Sequence, residues 1–314
     1  MGSRIRLLLA LALSPSLWLA PLAPAHADPA AEMSSFSIFH PVDLARLEKG
    51  EIIAARGQPM NFPRGLCAES CYITPVPFAK AVAAHKAFNP SLHPELGVYL
   101  YIRTAGPRFN QLLLAPDNSE VRALAAATEK MRGLPHTSSG ALSPEAVAYW
   151  SGLLSHRLTD FLAGGLPRLP PYADSIRPSE EAASLLKEQP KIRARFAPLT
   201  AFLNGGGNPS LSWNLFDVQG EAALSLSASF FRQNGASWQS MSVDYYASDG
   251  YYVYLSFIEL WPTKNGTLAW RGDFLSSGTV GTLRGIARTI AGSFLVKGVR
   301  KNTVALLKDA EAAR

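Results

Sequence analysis

Residues 238–308 set tight turns between runs that suit only a sheet, and then change period. The run 238–247 ends at Ser248, Asp249 and Gly250, and a second run covers 251–261. Asp-Gly between two such runs is a strong hairpin signal, because a type I′ turn needs positive φ at both central residues. Val243, Tyr246, Tyr251, Val253, Tyr254 and Phe257 supply the β-branched and aromatic side chains that fit a pleated surface. A further turn over 262–266, with Asn265 and Gly266, leads to a third strand over 267–275.

Side chains alternate across a strand, so a two-residue turn at Asp249-Gly250 fixes the faces. It sets Tyr245 opposite Tyr254 and Met241 opposite Ile258. One face then carries Met241, Val243, Tyr245, Tyr252, Tyr254, Ile258, Leu260, Leu268, Trp270 and Phe274. The other carries Ser240, Asp244, Tyr246, Leu255, Phe257, Glu259, Trp261, Arg271 and Asp273, and brings Glu259 near Arg271. A slip of one residue exchanges the two sets.

After Gly278 the spacing becomes helical. Val280, Leu283, Ile286, Ala287, Ile290, Phe294 and Leu295 recur at three and four, the stripe of an amphipathic helix that continues through Leu307. Gly281, Gly285, Gly292 and Gly298 lie within it and leave parts of its surface bare, for another backbone or for a ligand. The predicted fold is α+β, a curved antiparallel sheet gripping a long C-terminal helix.

Residues 241–246 (MSVDYY), 252–261 (YVYLSFIELW) and 267–274 (TLAWRGDF), followed by a terminal helix, resemble the back half of the START-like superfamily. That helix-grip (SRPBCC) group includes polyketide cyclases and lipid-transfer domains. Residues 47–52 (LEKGEI) are similar to its first strand, so the resemblance covers mainly 210–308 and more weakly 44–88. It implies a hydrophobic cavity between sheet and helix, lined by Tyr245, Tyr252, Tyr254, Ile258, Trp270, Phe274, Ile290 and Phe294. Read from the residues alone, the same aromatic face serves equally well as dry core. The polar set Asp244, Glu259, Arg271 and Asp273 reads either as a site for a head group or an acid–base pair, or as ordinary cross-strand charge pairing.

Residues 1–27 have the form of a cleaved signal peptide: Arg4 and Arg6, an apolar stretch over 7–22 broken by Pro15, and a small-x-small site at 25–27. A periplasmic or secreted location follows. Nothing after that segment is apolar for the roughly 20 residues a spanning helix needs, so no integral membrane segment is expected after cleavage. Removing two arginines lowers the formal net charge from +6 to +4, a mild excess that does not indicate nucleic acid.

Residues 28–43 read as a flexible linker, and 44–310 as one START-like domain with a helical insertion over 117–203. That insertion would cap one sheet face or form a lid over the cavity. Pro75 and Pro77 open a helix through Phe88. Residues 97–103 read as a strand with a partner at 109–115 across Gly106 and Pro107. Asp117 or Asn118 caps a helix to Arg132, and Ser143-Pro144-Glu145 opens another. Cys67 and Cys71, outside the cytoplasm, are expected to form a disulfide across a small loop. No further metal ligands stand near them in sequence, and no catalytic or nucleotide signature occurs. No catalytic residue, metal or cofactor is therefore assigned. The sequence favours a binding or transfer protein for a hydrophobic small molecule or lipid. An enzyme of cyclase or hydrolase type on the same scaffold, and a docking protein for an envelope partner, are the alternatives.

Overall fold

A computed structural model describes residues 28–103, 108–134, 142–218 and 220–312. The segment read as a signal peptide lies outside them, as do Gly106 and Pro107. Among the described residues eight strands form one antiparallel sheet: β1 (Ile53–Arg56), β2 (Gly65–Thr74), β3 (Val98–Arg103), β4 (Ser210–Val218), β5 (Glu221–Asn234), β6 (Ser237–Ala247), β7 (Val253–Thr263) and β8 (Gly266–Ser276). The order is β1-β2-β8-β7-β6-β5-β4-β3, a meander from β3 to β8 closed by β2. The α+β architecture, one curved sheet with a long C-terminal helix, fits a helix-grip description.

Short helices precede the meander: α1 (Pro29–Phe36), α2 (Leu44–Glu48) and α3 (Phe78–Ala87). The insertion supplies α4 (Ser119–Arg132), α5 (Pro144–Gly164), α6 (Pro178–Lys187), α7 (Pro190–Arg195) and α8 (Ala197–Thr200). The Asn118 side chain accepts from the Val121 amide (2.9 Å) and Ser143 from the Ala146 amide (3.1 Å), satisfying amides that the first helical turns leave free.

The insertion covers one sheet face. Phe161 of α5 stacks on Tyr245 at 4.0 Å, and Phe196 meets Phe257 at 5.1 Å and Trp270 at 5.7 Å. Two half-buried ion pairs tie it down: Arg195 donates to both oxygens of Glu259 (2.9 and 2.6 Å), and Arg64 to both of Glu181 (3.0 and 2.6 Å). The insertion supplies many of the buried side chains of the main core, among them Trp150, Leu154, Phe161, Leu185 and Phe196.

Several expectations change. Residues 28–43 are not a linker: α1 buries Met33 and Phe36, and Phe36 meets Trp270 edge-on at 4.9 Å. Cys67 and Cys71 are free, because both lie on β2 instead of a loop. Four residues along an extended strand separate them by about 13 Å, against the roughly 4.4–6.8 Å a disulfide needs between Cα atoms. Residues Phe109–Leu114 form a 3₁₀ turn that buries Phe109 and Leu112, not a strand.

The β6–β7 connection spans residues 248–252, and the register sets Asp244 opposite Tyr254 and Met241 opposite Phe257. This is the one-residue slip from a two-residue turn, and it redistributes the faces. A bulge opposite Leu226/Ser227 leaves Tyr245 unmatched, so Tyr245 and Tyr246 both reach the insertion, where Tyr246 stacks on Tyr172. Glu259 pairs with Trp270 and Ile258 with Arg271, so Glu259 and Arg271 point to opposite sides of the sheet.

The terminal helix is broken. A short α9 (Gly278–Thr282) precedes α10 (Gly285–Ala312), which opens at Gly285 with φ +52°, a conformation that favours glycine. α10 packs on β1, β2 and α3. Its buried residues are Gly292, Val299, Thr303, Ala305, Leu306 and Ala310, whereas Ile286, Ile290 and Phe294 of the expected stripe are exposed. No described helix is long and apolar enough to cross a membrane.

Candidate functional site

The face away from the insertion is built differently. Toward β2 it is closed by a small apolar cluster of Tyr72, Val76, Ala81, Trp238, Leu260 and Ala310, drawn from the sheet, α3 and α10. Toward β3 it opens into a groove of about 220 Å³. Strand alternation supplies the floor: Ser210, Ser212 and Asn214 from β4, Ser227, Ser229 and Phe231 from β5, Trp238, Ser240, Ser242 and Asp244 from β6, and Tyr254, Ser256 and Ile258 from β7. His85 and Lys86 of α3, Tyr101 and Arg103 of β3, and Asn302 and Leu306 of α10 form the walls.

Much of the floor is cross-linked by its own hydroxyls. Ser229 and Ser242, partners in the ladder, share a hydrogen bond of 2.7 Å. Asp244 accepts from Ser227 (2.6 Å) and Tyr251 (2.7 Å), and Asn214 donates to Ser225 (3.2 Å). Two polar atoms in the groove lining, Ser256 Oγ and Asn214 Oδ1, have no protein partner among the described residues. An unpaired buried polar atom is costly, so the floor around Ser256 and Asn214 is where an added polar partner would gain most.

The charged end of the groove is self-contained. Arg271 donates to both oxygens of Asp273 (2.7 and 2.9 Å) and to Asn302 of α10, and Tyr254 donates to Asp273 (2.5 Å). Burial raises the Tyr254 phenol well above its usual range, and the charge of Asp273 adds to that. Burial also raises Asp244, against the hydrogen bonds from Ser227 and Tyr251. His85 lies 3.2 Å from the Tyr72 hydroxyl, and burial, with Arg271 nearby, pushes it down to about 3. That direction keeps the imidazole neutral at physiological pH. Among the described residues no His/Cys/Asp/Glu group could hold a metal ion.

Of the cavity residues expected from the sequence, Tyr254 and Ile258 line this groove. Tyr245, Trp270 and Phe274 are fully buried in the core under the insertion. Tyr252 packs on Tyr172 at 5.2 Å and donates to Asp174. Ile290 and Phe294 face outward on α10. Of the polar set, Asp244, Arg271 and Asp273 share the groove face, and Glu259 sits on the other, bonded to Arg195, Ser237 and Gln239. The serines were missed. Their signal is the alternation of Leu224, Leu226 and Ala228 with Ser225, Ser227 and Ser229, a strand apolar on one face and hydroxyl-bearing on the other.

Compared with known proteins, the chain matches no family model, no curated protein and no solved structure.

Proposed function

We propose that this protein is a periplasmic or secreted START-like binding module that holds a small amphipathic molecule in the serine-lined groove. Phe231 and Ile258, backed by the buried Trp238 and Leu306, offer the guest an apolar surface, and the hydroxyl rows of β4 to β7 take its polar part. The observation that carries this reading is the pair of unpartnered atoms, Ser256 Oγ and Asn214 Oδ1, on the same floor as the bonded pairs Ser229–Ser242 and Ser227–Asp244. The volume of about 220 Å³ lies below the roughly 300–1,000 Å³ of sites that enclose drug-sized ligands. It suits a small amphiphile or the head of a larger lipid, rather than a wholly apolar guest. Binding is favoured over turnover because the carboxylate at the charged end, Asp273, is occupied by Arg271 and Tyr254.

Native mass spectrometry of protein purified without detergent tests this. A retained small molecule is expected, and Ser242→Phe, which fills the groove, should release it with a shift in Tm of only about 2 °C. Retention that survives the groove-filling substitution would overturn the assignment of the site. Absence of any retained mass, with no thermal shift from fatty acids, lysolipids or sugars, would overturn the binding reading.

A further inference from the structure

The first half of α10 presents a face that the fold does not use. Ile286, Ile290 and Phe294 are 81 %, 50 % and 68 % exposed, and a repeat of four sets them along one side. Lys297 and Lys301 continue that line, while Gly292, Val299 and Leu306 bury the opposite side. From 278 to 308 the chain carries Arg284, Arg288, Lys297, Arg300, Lys301 and Lys308 and no acidic residue. Arg56 of β1 adds to the basic surroundings: a Cβ on Gly292 would come within 2.9 Å of its side chain.

The half-helix is held in place without covering that face. Arg288 donates to the backbone carbonyls of Phe62, Pro63 and Gly65, which fastens α10 from the inner side to the start of β2 and the loop before it. An open groove of about 470 Å³, lined by Arg56, Met60, Gly285, Arg288 and Gly292, separates this half from the sheet edge. The apolar side chains therefore project into solvent from a helix anchored on its inner side.

We infer that this face of α10 docks on a membrane surface rich in anionic lipid. Large apolar side chains in a line, followed by lysines on a helix with no acidic residue before 309, match what an interfacial helix needs: burial in the acyl boundary with cations at the level of the head groups. Glu95 stands beside the far end of that line, pairing with Lys308 (3.2 Å) and accepting from Lys301 through its carbonyl (3.4 Å), and Lys297 has no such neighbour among the described residues. An acidic or purely apolar protein surface would satisfy one half of that pattern and leave the other unmatched. Docking would leave the second half of α10, with Asn302 and Leu306, on the wall of the ligand groove.

The test uses the full chain with Phe294→Cys labelled by a nitrobenzoxadiazole probe. Cys67 and Cys71 are buried and stay unlabelled. Because the probe reports its own position, membrane binding by residues 1–27 does not imitate the signal. With phosphatidylglycerol vesicles the emission should shift to the blue, and with phosphatidylcholine vesicles or at high salt it should not. Ile286→Ser with Ile290→Ser should weaken the vesicle isotherm by at least about tenfold, from the lost apolar burial. Lys297→Glu with Lys301→Glu should weaken it by roughly fivefold or more per site. A probe that stays in water with phosphatidylglycerol vesicles overturns the inference. So does a blue shift that grows with protein concentration in the absence of vesicles, since a second copy would then be the occupant.

Discussion

The two faces of the sheet are made by the same strands, yet they are different materials. Under the insertion, Trp213, Tyr245, Phe257, Trp270 and Phe274 are wholly buried, and their rings interlock with Phe161, Phe196 and Phe36. On the other side, the same β4 to β7 display serines, and the helices that cross it cover only part of it. Fully burying a large apolar side chain stabilises by about 1.5–3 kcal/mol. A hydroxyl already bonded to a neighbouring hydroxyl contributes far less net, roughly 0.5–1.5 kcal/mol. The first face therefore holds the fold together, and the second is free to vary with what it binds.

Trp270→Ala probes that division hardest. Trp270 packs on Phe36 and Phe196 and donates to Glu69 at 2.9 Å, so its truncation leaves a large cavity and removes one of the two hydrogen bonds to that buried carboxyl. A loss of about 3–5 kcal/mol is expected by urea denaturation. Ser229→Ala with Ser242→Ala removes both partners of one hydrogen bond on the opposite face and should cost under about 1 kcal/mol. Comparable losses from the two would mean that the faces share the work of stability equally.

The polar exception inside the apolar face gives the next effect. Glu69 is buried, accepts from Trp270 and from the Ile38 amide (3.1 Å), and has one oxygen, Oε1, unpartnered among the described residues. Burial raises it to about 7, against those two hydrogen bonds. Between pH 4.5, the value for a free side chain, and about 7, the folded state keeps a proton that the unfolded state has released. Stability from this group is thus complete below the lower value, falls as pH rises through the window, and is flat above it. The fall is on the order of 3 kcal/mol. Subtracting the pH profile of Glu69→Gln from that of the wild type should isolate this slope and leave the opposing slope of His85 in both. A difference that does not change with pH would show that Glu69 is ionised in the fold and that the face is wetter than its packing indicates.

Much of the sheet was legible because its strands are long and their turns carry Asp-Gly and Asn-Gly. The helices of the insertion announced themselves through Asn118, Ser143 and Pro144. The faces were not legible, because they depend on a parity. The β6–β7 loop holds five residues instead of two, and the bulge at Tyr245 adds one more, and no local propensity distinguishes these from a tight turn. β2 escaped for another reason. It is buried on both faces, so it shows no alternation, and Glu69 and Ser70 interrupt its apolar run. Nor does helical periodicity reveal which side of a helix is covered: Ile286, Ile290 and Phe294 have the spacing of a core stripe and lie outside. The groove was only partly visible, since serine on a strand is silent until the register places several together.

The smallest effect concerns Cys67 and Cys71, which belong to the apolar side of the comparison. Both lie in the main core, on one strand, too far apart to join. Burial pushes the Cys67 thiol well up and the Cys71 thiol up to about 12, with Glu69 adding to each, so neither supplies the thiolate that reacts. A reductant should move the melting temperature by no more than about 1 °C, whereas loss of a structural disulfide typically costs about 2–4 kcal/mol. Titration with a thiol reagent should find no reactive thiol in the folded protein and two after denaturation without reductant. A native protein in which one thiol reacts quickly would place a water path through the aromatic layer, and the face taken here as dry would have to be redrawn as a second accessible surface.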